Sequence, residues 1–325
     1  MEILSNFMDP SGGGEMLGRY VHYLSGVTWI GLLYYFNFVQ TPAFAEVSDA
    51  TRSEAMRTIT WRALWWFRFG ALLTFLSGVW ILGIQKYLGS EFDAFWKTPQ
   101  GTSILIGAGF GTVMFLNVWL VIWPKQQIVI GSARRVADGG EADPAAAGAA
   151  KAAARASRTN TLFSIPMLFF MGFTSHYSGA YNGADGNGPY AIVILVFLAI
   201  LAVIELSALG LIGGLDSPLC KRLFDRHKDT IVAGFVVWAV LLILGLELNI
   251  GRGRPGAYAP GCAPVPRRAA RARSHRRPRR LAHGRRARPA RRGAGRRGRP
   301  VLRAAHGARA AGHRGRRAGA SARRG

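Results

Sequence analysis

The 325-residue chain carries a formal net charge of +25, from 42 Lys+Arg against 17 Asp+Glu, although half of its residues are hydrophobic. Residues 252–325 hold 25 of the arginines and no acid, so residues 1–251 are electrically balanced and a nucleic-acid role for the folded part has no charge to rest on. Two cysteines, Cys220 and Cys262, are too few for a disulfide scaffold, and neither lies in a C-x-x-C or C-x-x-C-H pattern.

Residues 1–19 are polar and lack the basic start of a cleaved signal, so the first helix is expected to be retained. Apolar runs then recur at about 20–40, 64–85, 103–123, 161–178, 189–214 and 231–250. Each approaches the roughly 20 residues that cross a bilayer. The expectation is an all-α, polytopic, multi-pass transmembrane bundle over 20–250. Arg52, Arg57 and Arg62 lie between spans one and two, six Lys/Arg lie in 124–160, and four lie in 215–230. Only Arg19, Lys86 and Lys97 lie on the opposite side, which places the N-terminus outside and the three basic loops in the cytoplasm.

Gly139–Ser157 reads as a cytoplasmic linker with a helical turn or two through its alanines, and Ser178–Pro189 as an outer Gly/Asn/Asp turn. Beyond Arg252 the composition turns to Arg, Ala, Gly and Pro. Residues 251–325 therefore read as a disordered tail. Two origins fit it: a genuine basic tail that binds acidic lipid or nucleic acid by charge, or the product of a shifted reading frame in GC-rich DNA.

Residues 1–251 contain three histidines. His227 sits among charges and reads as solvated. His22 opens span one and His176 ends span four, which runs the other way, so both are expected at one depth beneath the outer face. Gly26 and Gly172 each lie four residues from their histidine, one turn deeper, and Trp29 shares the face of His22. Such a wall suits a flat cofactor, and neutral imidazole ligates haem iron or copper. The readings are an axial pair for a b-type haem, one haem ligand plus one substrate-side histidine, or two interfacial histidines bonded to carbonyls or water.

Glu205 falls mid-span, as a proton relay or an interhelical hydrogen-bonding group. Asn117 and Ser164 suit interhelical bonds. Pro166 removes a donor and frees a carbonyl near Leu162. Arg68 is expected to snorkel to the interface among tryptophans.

Four segments carry a family resemblance: HYLSGVTWIG (22–31), LWWFRFGALLTFLSG (64–78), NVWLVIWPKQQIVI (117–130) and RTNTLFSIPMLFFMGFTSHY (158–177). Over roughly residues 15–250 the chain resembles the membrane domain of bacterial PuuD-type urate hydroxylases, the urate oxidase N-terminal domain. The resemblance implies oxidation of urate to 5-hydroxyisourate, with electrons passed to a cytochrome c. It also implies that His22 and His176 occupy the intramembrane histidine positions, with Asn117, Arg158 and Asn160 at the polar motif positions. The chain departs from the family in lacking the cytochrome's C-x-x-C-H and in showing fewer spans. The alternatives are a haem- or copper-binding membrane protein without urate activity and a cofactor-free structural or transport bundle.

Overall fold

The computed structural model describes residues 9–172 and 190–250. Helix α1 (Glu15–Tyr34) passes through a π-helical segment, Tyr35–Gln40, into α2 (Thr41–Glu46). After a break at Val47 and Ser48, whose hydroxyl caps the next helix, α3 (Asp49–Ala55) runs through a second π segment, Met56–Thr60, into α4 (Trp61–Ile84). A short α5 (Phe92–Trp96) precedes α6 (Pro99–Leu116), which continues through a third π segment, Asn117–Ile122, into α7 (Trp123–Ala137). Then come α8 (Ala146–Gly172), α9 (Tyr190–Ala208), α10 (Pro218–Phe224) and α11 (His227–Ile250). There is no strand among the described residues.

Among them, four helices are long and apolar enough to cross a membrane: Asp49–Ile84, Gln100–Ala137, Tyr190–Ala208 and His227–Gly245. Their apolar residues face outward as well as inward. Leu195, Val232, Phe235 and Ile243 are more than half exposed, as a lipid-facing surface requires and a water-facing one does not. The remaining two expected spans are helical but outside this set. One is α1, diluted by His22, Asn37 and several tyrosines, and the other is α8, whose expected end lies outside the described residues.

Two stretches read as loops are helical in part. The basic segment 43–63 contains α3 and the second π segment, continuous with α4. Of the alanine-rich linker, residues 139–145 are non-helical, and the turn or two expected through the alanines extends to the first three turns of α8, with Ala149, Ala153 and Ala156 buried. Alanine costs no side-chain entropy in a helix. At this spacing it also leaves a smooth stripe that docks against neighbouring helices.

Helix α8 is the central post, packed against α6, α7 and α11, while α1 and α4 form a closely paired flank. The core joins Trp29, Leu33, Phe67, Phe110, Met114, Phe163 and Leu241 into one cluster. Phe110 meets Phe163 and Phe197 at ring separations of 5.1 and 5.0 Å. Proline at 166 leaves Leu162 O without its helical donor, as expected. That carbonyl lies against Gly234 of α11, where an added Cβ would stand 2.8 Å from it. The glycine lets the two backbones approach closely enough for a Cα–H···O contact.

Candidate functional site

Helix α1 presents His22 to α4 rather than to α8. A carbonyl oxygen can only accept, so the 2.9 Å contact between His22 Nδ1 and Thr74 O fixes the proton on Nδ1. Ser77 Oγ, 3.2 Å from the same nitrogen, shares that proton while donating its own to Leu73 O. The ring is thus held in one tautomer with its lone pair on Nε2, the arrangement that metal-ligating histidines adopt. Seven residues on, Trp29 is 2 % exposed and its indole N–H has no acceptor among the described residues.

Gly26, expected beside a macrocycle, is partly exposed and meets α4 at ordinary contact distance. A Cβ on Gly26 would lie 3.9 Å from Thr74 Cγ2, and one on Gly70 would lie 3.2 Å from the Trp29 amide nitrogen. Gly78 touches the His22 ring itself, with 3.2 Å from its would-be Cβ to Cε1. These small residues draw two backbones together, and Thr74 Oγ1 donates to Ser25 Oγ across the seam at 3.0 Å. The donor chemistry at His22 therefore fits a haem iron or copper ligand, while Gly70 and Gly78 serve the close packing of α1 on α4. Gly172 closes the described part of α8 with open space at its Cβ position. His176, its expected partner, lies outside the described residues, so the pairing with His22 does too.

Deeper in the bundle, Asn117 opens the third π segment and ties three helices. Its Nδ2 donates to Asn160 Oδ1 on α8 at 3.0 Å and to Glu205 Oε2 on α9 at 3.1 Å. Asn160, fully buried, donates in turn to Met114 O at 3.0 Å. The segments quoted for Asn117 and Asn160 thus meet in space. Glu205, expected as a relay or a hydrogen-bonding group, is held by Asn117 in the second of those roles.

The opposite end from His22 gathers the basic segments. Arg158 Nη1 donates to Phe224 O at 2.5 Å, and Arg155 Nη1 reaches Ala208 O at 3.4 Å. Asn37 Nδ2 donates to Leu33 O and to Ser157 Oγ, and Thr60 donates to Gln40 Oε1. A cavity of about 170 Å³ opens between these groups. Three of the four π segments contribute to its wall, through Phe36, Asn37 and Gln40, Met56 and Thr60, and Ile122; the fourth, Pro10–Gly14, precedes α1 and does not. A π turn is wider than an α turn and displaces side chains from the regular face, which is why such turns mark functional sites. Sequence reasoning named Arg158, singled out Asn37 as a buried polar group and held Gln126 within a quoted segment, but missed Gln40 and did not bring these groups together, because their meeting depends on how the helices cross.

Arg68 is partly exposed and lies among the tryptophans of this end. Its guanidinium lies 3.7 Å from the centroid of Trp123 and 4.8 Å from that of Phe69, and its Nε has no acceptor among the described residues. Trp123 in turn packs on Trp61, beneath Arg134. This alternation of cations and rings locks α4 to α7. No group of three or more His, Cys, Asp or Glu side chains positioned to hold a metal ion occurs among the described residues.

Residues 93–207 match the family model described as urate oxidase N-terminal, the family that the four segments resemble. The match runs from α5 to α9 and includes Asn117, Arg158, Asn160 and Glu205, while His22 lies before it. No curated protein and no solved structure matches the chain.

Proposed function

We propose, from the match of residues 93–207 to the urate oxidase N-terminal family, that this chain is a membrane-bound oxidoreductase of the urate hydroxylase type. The observation that carries the reading is that the matched stretch holds the Asn117–Asn160–Glu205 network at its centre. The reaction takes urate and water to 5-hydroxyisourate, releasing two protons and two electrons. Water supplies the hydroxyl oxygen, and two one-electron acceptors of the cytochrome c type take the electrons. A b-type haem would supply the one-electron relay between the organic two-electron step and that acceptor.

His22 is the residue of the described part that suits such a group. Thr74 O and Ser77 Oγ orient its ring, Nε2 keeps the lone pair, and the Trp29 indole N–H is a buried donor without an acceptor among the described residues. His176 is proposed as the second ligand, on the resemblance alone. The location that goes with this reading is the bacterial inner membrane, with the acceptor on the N-terminal side.

The test is an absorption spectrum of the detergent-purified chain, oxidised and dithionite-reduced, beside His22→Ala and His176→Ala, followed by urate loss with cytochrome c as acceptor. A b-type spectrum lost in either variant, with urate-dependent cytochrome reduction, is the expected result. A folded, colourless wild type that leaves urate untouched would overturn the reading. Metal content without urate turnover would favour a metal-handling membrane protein instead.

A further inference from the structure

The cavity at the arginine-rich end has a size and a set of hydrogen-bonding groups that define a ligand. Drug-sized molecules occupy pockets of about 300–1,000 Å³, and an apolar cavity of about 150 Å³ holds a benzene. At about 170 Å³ and open at its mouth, this one is on the scale of a small planar molecule and far below that of a haem.

Its floor is buried and partly aromatic, with Phe67 and Leu64 beneath Phe36, and its mouth lies at the exposed Thr41 and Ala154. The polar groups around it are only partly used. Asn37 spends both amide hydrogens on Leu33 O and Ser157 Oγ, so its Oδ1 remains an acceptor in a side chain 3 % exposed. Gln40 accepts from Thr60 and keeps its amide hydrogens, and Gln126 makes no side-chain hydrogen bond among the described residues. Arg158 donates only to the carbonyls of Phe224 and Asp225 and forms no salt bridge among the described residues. No carboxylate lines the cavity. Aromatic walls select a flat ring, amides that both donate and accept select an edge of alternating N–H and C=O, and an arginine whose nearby acid, Asp225, forms no salt bridge with it among the described residues favours a negative group.

We propose that this cavity binds a small planar nitrogen heterocycle with ring carbonyls and a single negative charge. Resting on the reading above, that ligand is urate. Asn37 lies fifteen residues beyond His22 on one continuous helical run, about 20 Å along its axis at 1.5 Å per residue. Substrate and electron acceptor would then be served at opposite ends of the bundle, the heterocycle entering from the end that carries the basic loops.

The experiment is equilibrium dialysis of urate against the purified full chain and three variants. Gln126→Leu removes a lining amide, Ala154→Phe fills the mouth from an exposed position, and Leu120→Phe alters an exposed site away from the cavity. Urate turnover is measured in parallel. Binding weakened at least tenfold in the first two variants and unchanged in the third is the expected result. Binding equal to wild type in both cavity variants overturns the site, even if urate is oxidised. Absence of urate binding by the wild type also overturns it, leaving a water-filled cavity. Binding that follows the pattern without any turnover supports the site and removes the oxidoreductase reading.

Discussion

Replacing Asn117 by leucine keeps the number and branching of the side-chain heavy atoms and removes both interhelical hydrogen bonds. One bond to Asn160 Oδ1 and one to Glu205 Oε2 are lost. Interhelical hydrogen bonds in membranes are worth about 0.6 kcal/mol on average and about 1.7 at most, so the pair predicts a loss of roughly 1–3 kcal/mol. Asn160 is fully buried, and its carbonyl oxygen would lose its donor, which places the cost toward the upper half of that range. Reversible unfolding in mixed detergent–SDS micelles gives the number, and a cycle with Asn160→Leu isolates the pair. Glu205→Gln retains an acceptor for Asn117 and is expected to stay within about 0.5 kcal/mol of wild type. A coupling between positions 117 and 160 below about 0.3 kcal/mol, the level at which independent sites add, would refute the network as a structural tie.

Gly234→Ala sets a Cβ 2.8 Å from Leu162 O and 2.6 Å from Ile165 Cδ1, so about 1–3 kcal/mol of overpacking is expected in the same unfolding assay. A neutral result would show that α8 and α11 do not meet as described. Arg68→Lys keeps the charge but not the planar stack on Trp123. It is expected to cost about 0.5–2 kcal/mol and to change tryptophan fluorescence, and unchanged stability and emission would remove the stack from the argument. Arg158→Gln frees Phe224 O at the end of α10. Hydrogen exchange in 218–224 should then rise while that in α9 stays protected, and uniform protection would contradict the tether.

Helix type, the apolar spans and the convergence of the basic segments at one end were legible because composition and periodicity state them directly. The helical turn or two expected at the alanine-rich start of α8 proved longer and buried, because its burial comes from a smooth surface rather than from large apolar residues, and hydropathy scores only the latter. At His22 the sequence shows a ring nitrogen and nearby glycines but not which neighbour those glycines admit. Helix α4, through Thr74, Ser77 and Gly78, takes that place. Asn117 and Asn160 were each recognisable as motif residues, yet their mutual bond depends on how α6 and α8 cross, which no local pattern specifies.

A π turn holds one residue more than the α turn it replaces. Deleting a single residue from Tyr35–Gln40 would restore regular pitch and swing Thr41–Glu46 by about 100° about the helix axis, at 3.6 residues per turn. Gln40 and Phe44 would then leave the cavity wall without any change in their own identity. The same holds at Met56–Thr60 and Asn117–Ile122. The shape of this cavity is therefore encoded in segment length: substitutions adjust its lining one group at a time, whereas a one-codon deletion in any of the three segments dismantles a whole wall.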